Sequence, residues 1–204
     1  MATTNVAIAN LALAHLGDDA SVSSLDPPEG SAEAEHCALW LPIARDTLLE
    51  MHPWKFATRR TLLAQLDETF TSWQYVYAEP NNCLRVLSVL PEGYTNDISD
   101  GVEFEQESDS TDQVMILTNT PVATVRFISR VTNPARFSPL FVDCLSWLLA
   151  SYVAGPLLKG ETGTNAARTA YATFITQYAA ATRSNATQSK TRPEHTPGWI
   201  AARG

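Results

Sequence analysis

Apolar residues recur at three- and four-residue steps through segment 31–52, where Cys37, Trp40, Leu41, Ala44, Leu48 and Met51 fall on one face of a helix. Ser31 stands where an N-cap would, and Glu33 and Glu35 occupy the first turn, where exposed amides favour negative charge. His52 precedes Pro53 and is biased away from helical dihedrals, so the helix is predicted to end there. Pro42, inside the run, predicts a kink or a false start. Beyond the stop, Pro53, Trp54 and Phe56 predict a stiff aromatic corner packed back onto the helices. A shorter helix is expected from Thr4 to Leu16, capped by Thr3 or Thr4, striped by Ile8, Leu11, Ala12 and Leu16, and stopped by Gly17. The Asp26-Pro27-Pro28-Glu29-Gly30 cluster marks the intervening loop. Thr61 to Phe70 reads as a short helix or an irregular link with Leu62, Leu63 and Leu66 facing inward.

The period then changes to two. Segments 72–77, 84–90, 102–107, 114–118 and 122–131 carry β-branched and aromatic residues between Pro-, Gly-, Asn- and Asp-rich turns, which predicts an antiparallel meander or small sandwich. Leu140 to Leu158 is apolar almost all round, with Phe141, Leu145 and Leu148 among its core candidates, and predicts a helix buried on several sides. Gly155-Pro156 should break or kink its last turn. An Ala-rich helix follows over Thr164–Arg183, with Ala167, Tyr171, Phe174 and Tyr178 on one side. From Ser184 onward the chain carries almost nothing to bury until Trp199 and Ile200, and reads as a polar tether or a frayed terminus. The expected fold class is α+β: a helical bundle of about four helices with an inserted antiparallel β-sheet domain and an extended C-terminal arm. Its parts are bundle 1–70, β insertion 71–133, bundle 134–183 and arm 184–204.

Composition narrows the class. A chain of 204 residues, 45% hydrophobic and 18% charged, can bury a proper core without staples and reads as an ordinary soluble globular protein. Leu140 to Leu158 comes nearest to a membrane span, but Asp143 lies within it and Arg136 and Lys159 bracket it, so no membrane contact is expected. The N-terminus has no basic region ahead of an apolar one, so no secretory signal is expected. Three widely spaced cysteines, Cys37, Cys83 and Cys144, predict buried free thiols in a reducing compartment. A formal net charge of −8 argues against gripping nucleic acid through its phosphates, though such a chain could line a passage through which DNA slides.

Candidate chemistry is sparse. The phosphate-loop, H-E-x-x-H, C-x-x-C, G-x-S-x-G and G-x-G-x-x-G patterns are all absent. Glu33 and His36 make a lone Glu-x-x-His without the second copy a di-iron bundle uses. His15 and His52 read as structural, and His195 lies in the tail. Eight carboxylates lie between Glu92 and Asp112 with no basic residue among them. Glu103, Glu105 and Glu107 alternate, so they share one face of a strand: a solvated edge that resists strand addition, or an acidic face toward a channel. No catalytic residue, metal or cofactor is expected. The alternative is a metal-dependent α+β enzyme or small-ligand module using the acidic 92–112 segment.

The run His52-Pro53-Trp54-Lys55-Phe56-Ala57-Thr58-Arg59-Arg60, read as HPW-x-FA-x-RR at the end of a long helix, resembles the tail tubular protein A family, the head-to-tail adaptors of short-tailed bacteriophages. The Leu25-Asp26 turn ahead of the helix and the order of the remaining segments match as well, over nearly the whole chain. The resemblance implies a structural virion protein, made in the host cytoplasm and placed at the head–tail interface. It implies a homo-oligomeric ring of about twelve copies, between the portal protein and the tail nozzle (tail tubular protein B), around a channel for DNA that is not read by sequence. It further implies that the C-terminal segment docks on the portal through Lys190, Arg192, Pro193, His195, Trp199, Ile200 and Arg203, with Trp199 as aromatic anchor and Arg203 as charge contact.

Overall fold

A computed structural model describes residues 3–19, 21–68, 72–93 and 101–188. The fold is α+β. Among the described residues the order is α1 (Asn5–His15), α2 (Ala32–Met51), β1 (Thr58–Leu62), β2 (Tyr75–Ala78), β3 (Cys83–Leu90), β4 (Phe104–Ser108), β5 (Val114–Thr118), β6 (Thr124–Ser129), a 3-10 turn (Pro134–Arg136), α3 (Pro139–Leu158) and α4 (Gly160–Ala186).

α1, α2 and α3 begin where side chains can take up their exposed amides, whereas α4 starts without a side-chain cap. Thr4 accepts from the Ala7 N–H, Ser31 from Ala34 and Ser138 from Phe141, each at the cap position. α1, α2 and α4 all pack on α3, which is therefore the centre of the bundle. With 56% of its most apolar stretch buried among them, this bilayer-length helix is a core helix. Phe141, Leu145 and Leu148 join Leu48 and Trp54 in the bundle core, and Trp40 rests half-buried on Tyr152 at a ring distance of 5.5 Å.

The β part is two three-stranded antiparallel sheets, in the orders β1-β6-β3 and β2-β5-β4. Tyr77 and Ile116 of one sheet and Val86, Val89, Val125 and Phe127 of the other share one apolar cluster, so the sheets form a small sandwich. Asp46 joins this part to the bundle, pairing with Arg45 at 2.8 Å and with Arg130, just past β6, at 2.9 Å.

Several sequence expectations are corrected. β1, paired to β6 from Thr58↔Ile128 to Leu62↔Thr124, takes up the first two residues of the segment expected as helix or link, and Leu62 is 63% exposed rather than inward. The stripe of α1 runs through Ile8, Ala9, Ala12 and Leu13, leaving Leu11 exposed, and the buried face of α2 stops at Leu49, leaving Met51 exposed. α2 continues through Pro42, whose side chain lies on the solvent face, where the carbonyl left unpaired can turn to water. α3 likewise continues through Pro156 to Leu158. The buried line of α4 is Gly163, Ala170, Phe174, Ala181 and Asn185, so Tyr171 points outward.

Candidate assembly site: the aromatic corner and the exit of the last helix

A helix that stops without a glycine must find other partners for its last carbonyls. α2 does so with side chains from its own continuation and from two distant elements. The Trp54 indole N–H donates to the Leu48 carbonyl at 2.8 Å, the Arg85 guanidinium of β3 to Glu50 at 3.2 Å, and the Tyr178 hydroxyl of α4 to Met51 at 3.1 Å. His52 then takes an extended conformation, as the following proline requires.

The corner after the helix packs as the sequence predicts. Trp54 is buried and meets Phe141 edge-on at a ring distance of 5.1 Å. Phe56 meets the same ring at 5.0 Å and Phe137 at 5.8 Å. Such edge-to-face pairs are each worth about 0.5–1.5 kcal/mol beyond area burial. Pro53, half-buried, sets the angle at which the corner turns back.

Asn185 closes the corner from the other side. The Lys55 backbone N–H can only donate, so the Asn185 atom 3.0 Å from it is the amide oxygen. The Asn185 amide nitrogen then donates to His52 Nε2 at 2.8 Å, with a longer contact to the Pro53 carbonyl at 3.4 Å. His52 therefore accepts at Nε2 and is neutral in this arrangement; burial, with Lys55 nearby, holds its pKa below 6.5. The sequence reading assigned Asn185 to a polar tether. It is instead 6% exposed in the last turn of α4, which runs to Ala186 rather than ending at Arg183.

Beside this latch lies a depression of 320 Å³. Trp54, Phe56, Phe137 and Leu140 supply its apolar lining, and Arg136, Ser184 and Gln188 are among its polar residues. Gln188 is also the last described residue. The expected portal-binding residues Lys190, Arg192, Pro193, His195, Trp199, Ile200 and Arg203 lie outside the described residues, as do Asp97 and Asp100 of the acidic run.

The acidic face is where alternation puts it. β4 is an edge strand, Glu105 and Glu107 lie on it, Glu103 directly precedes it, and all three are exposed. Glu105 accepts from the Trp73 indole N–H at 3.2 Å. Among the described residues no group of three His, Cys, Asp or Glu side chains is placed to hold a metal ion.

The remaining candidates for chemistry have structural surroundings. His15 stacks on Trp147 at 3.6 Å and bonds Ser146 Oγ at 3.0 Å; burial lowers its pKa against the raising influence of Asp143. The cysteines are free thiols, with Cys37 and Cys144 buried and Cys83 partly so. Burial pushes Cys37 up to about 11 and Cys83 and Cys144 up to about 12, so each stays protonated at neutral pH and is a poor nucleophile.

Among the described residues, two pairs of exposed apolar side chains form short strips on the bundle. Leu39 and Ile43 stand four residues apart on α2, exposed by 60% and 47%, and Tyr171 and Ile175 repeat that spacing on α4, at 50% and 43%. No protein-family model matches the chain, and no curated protein is matched by it.

Proposed function

We propose that this chain is a structural subunit of a bacteriophage virion, a head-to-tail adaptor that assembles with copies of itself between a portal ring and a tail nozzle. The observation that carries the reading is the pair of exposed apolar strips, Leu39/Ile43 on α2 and Tyr171/Ile175 on α4, both on helices seated against the same central helix. A closed ring needs two different mutually fitting faces per subunit, and the two strips, on different helices, are suited to that role. The resemblance of the HPW-x-FA-x-RR corner to the tail tubular protein A family supplies the particular assembly. On this reading residues 189–204 form the arm that meets the portal. The net charge of −8 lets DNA pass through the channel without adhering, and the chain performs no catalysis.

The test is the mass of the complex formed with the portal ring of the same virion, using the full chain and a chain ending at Gln188, which keeps the Asn185 latch intact. Twelve subunits of 22.3 kDa add about 268 kDa to the portal. That increase with the full chain, and its loss on truncation, is the expected result. A portal whose mass is unchanged by the full chain would overturn the adaptor reading.

A further inference from the structure

We propose that β1 of one copy of this chain pairs antiparallel with β4 of the next, joining two copies through their sheet edges. Each three-stranded sheet has two outer strands, and the chain itself covers one of them in each. The outer side of β2 takes residues 64–66, with Leu66 N–H donating to Val76 O at 2.8 Å and Ala78 N–H to Ala64 O at 2.9 Å. Val102 bridges to Val89 on the outer side of β3. Among the described residues β1 and β4 receive no further strand. Their charges are opposite: β1 carries Arg59 and Arg60, and β4 carries Glu105 and Glu107. Arg59, Glu105 and Glu107 are exposed, and among the described residues neither Arg59 nor Glu107 has an ion-pair partner.

The hydrogen-bond phase of the two strands fixes which residues face each other. Leu63 N–H donates to Ala123 O and Ser129 N–H to Ala57 O, both at 2.9 Å, so Arg59 and Thr61 turn their backbone groups to β6 and Arg60 and Leu62 turn theirs outward. Asp109 N–H donates to Gln113 O at 3.0 Å, so Glu105 and Glu107 bond β5 while Phe104, Gln106 and Ser108 turn outward. Two such edges bond through their outward residues, even number to even number, and odd residues then stand opposite odd. With the strands fully overlapped, Arg59 meets Glu107, Thr61 meets Glu105 and the exposed Leu62 meets Phe104. A slip of two residues either way brings Arg59 to Glu105 or Asp109, so an acid faces it in each case. Two β4 edges would instead set glutamate against glutamate, and two fully overlapped β1 edges would set Arg60 against Arg60, so each edge rejects its own kind. Charge thus selects a contact that uses one edge of each kind per copy, the heterologous type that closes into rings. The inference rests on the reading that copies join head to tail, and adds the strands that meet. A pairing of five-residue strands is marginal by itself, so it supplements the helix strips.

The test is covalent capture between two different full-length variants, mixed in equal amounts in a glutathione redox buffer. Antiparallel residues that face each other without hydrogen bonds stand about 4.5 Å apart at Cα, within reach of a disulfide. Thr61→Cys mixed with Glu105→Cys leaves Arg59 and Glu107 in place and should give a covalent dimer of about 45 kDa, twice the mass of the chain. Its yield should exceed several-fold that of either variant alone, and Glu107→Cys in place of Glu105→Cys captures the slipped register. Thr61→Cys mixed with Gln106→Cys should show no such excess, since an odd and an even residue fall on opposite faces of the joined sheet. Adding Arg59→Glu to the Thr61→Cys chain should lower the yield several-fold, and adding Glu107→Lys to its Glu105→Cys partner should restore it. All the substituted residues are exposed, so circular dichroism should be unchanged throughout. No excess with either glutamate position would overturn the inference. So would an equal excess with Gln106→Cys, or a yield indifferent to the charge reversal. The adaptor reading is decided separately by the mass of the portal complex, so the two failures are told apart.

Discussion

Asn185 shows how one polar side chain can hold a helix end in place. Its oxygen takes the Lys55 N–H and its nitrogen reaches His52, so one amide ties the last turn of α4 to the corner after α2. Asn185→Ala strands a part-buried backbone donor and a ring nitrogen, and should lower stability by about 2 kcal/mol, the usual cost of leaving such groups unpaired. The shift in urea midpoint at constant slope measures it, and an unchanged midpoint would mean that water replaces the amide. The latch also makes stability depend on pH, with a definite sign. The folded-state pKa of His52 lies below its ordinary 6.5, so between the two values the unfolded chain binds more protons than the folded one. The contribution of neutral His52 is therefore full above that ordinary value and is lost as pH falls below it. His15, lowered by burial as well, acts in the same direction. Replacing His52 by Gln should reduce the loss of stability between about pH 7.5 and about pH 5.5, in urea titrations at each pH. An equal loss in the variant would assign the dependence to other groups.

At the scale of elements, α3 and α4 come close together at Gly163. A Cβ at Gly163 would lie 3.0 Å from the Ala154 carbonyl oxygen, 3.2 Å from that of Gly155 and 3.3 Å from the Gly155 Cα. These are backbone atoms of the central helix, which is held on its other sides by α1 and α2 and can give little. Alanine is favoured over glycine inside a helix by about 1 kcal/mol. Gly163→Ala should nevertheless lower the melting temperature, because the forced separation of α3 and α4 outweighs that preference; a raised melting temperature would mean that α3 yields. No pattern in the Ala-rich helix calls for glycine at this position; its expected stripe holds at Phe174 and Tyr178 and fails at Tyr171. Where both ends of an element carry local signals, the reading succeeds: Ser31 starts α2 and His52-Pro53 stops it, each through its own backbone chemistry. Where the deciding partner is far along the chain, it fails. Thr58-Arg59-Arg60-Thr61-Leu62 has no apolar alternation and becomes β1 through pairing with β6. Asn185 looks like tether because its partner His52 is 133 residues away. The aromatic corner and the acidic edge were legible because each lies within one short segment with a fixed period or a proline. The depression was not, since its walls come from the corner, the 3-10 turn, the start of α3 and the end of α4.

For the whole molecule, the question raised by the two apolar strips is which strip meets which. An isologous dimer joins a strip to its own copy, whereas a ring joins one strip to the other, head to tail. Charge placed on either strip separates the cases. Leu39, Ile43, Tyr171 and Ile175 are exposed, and glutamate is a good helix former, so Leu39→Glu/Ile43→Glu and Tyr171→Glu/Ile175→Glu should both fold. If α2 of one copy meets α4 of the next, each double variant alone remains monomeric, because every contact then includes a charged strip. Mixed in equal amounts, the two variants keep one intact pair of strips, the α4 strip of the first with the α2 strip of the second. They should form a heterodimer of about 45 kDa, twice the mass of the chain, and stop there. Native mass spectrometry of the two variants, alone and mixed, reads this directly. A homodimer of either variant would instead mean that its intact strip pairs with its own copy, which cannot propagate around a ring and would remove the main physical support for the adaptor reading.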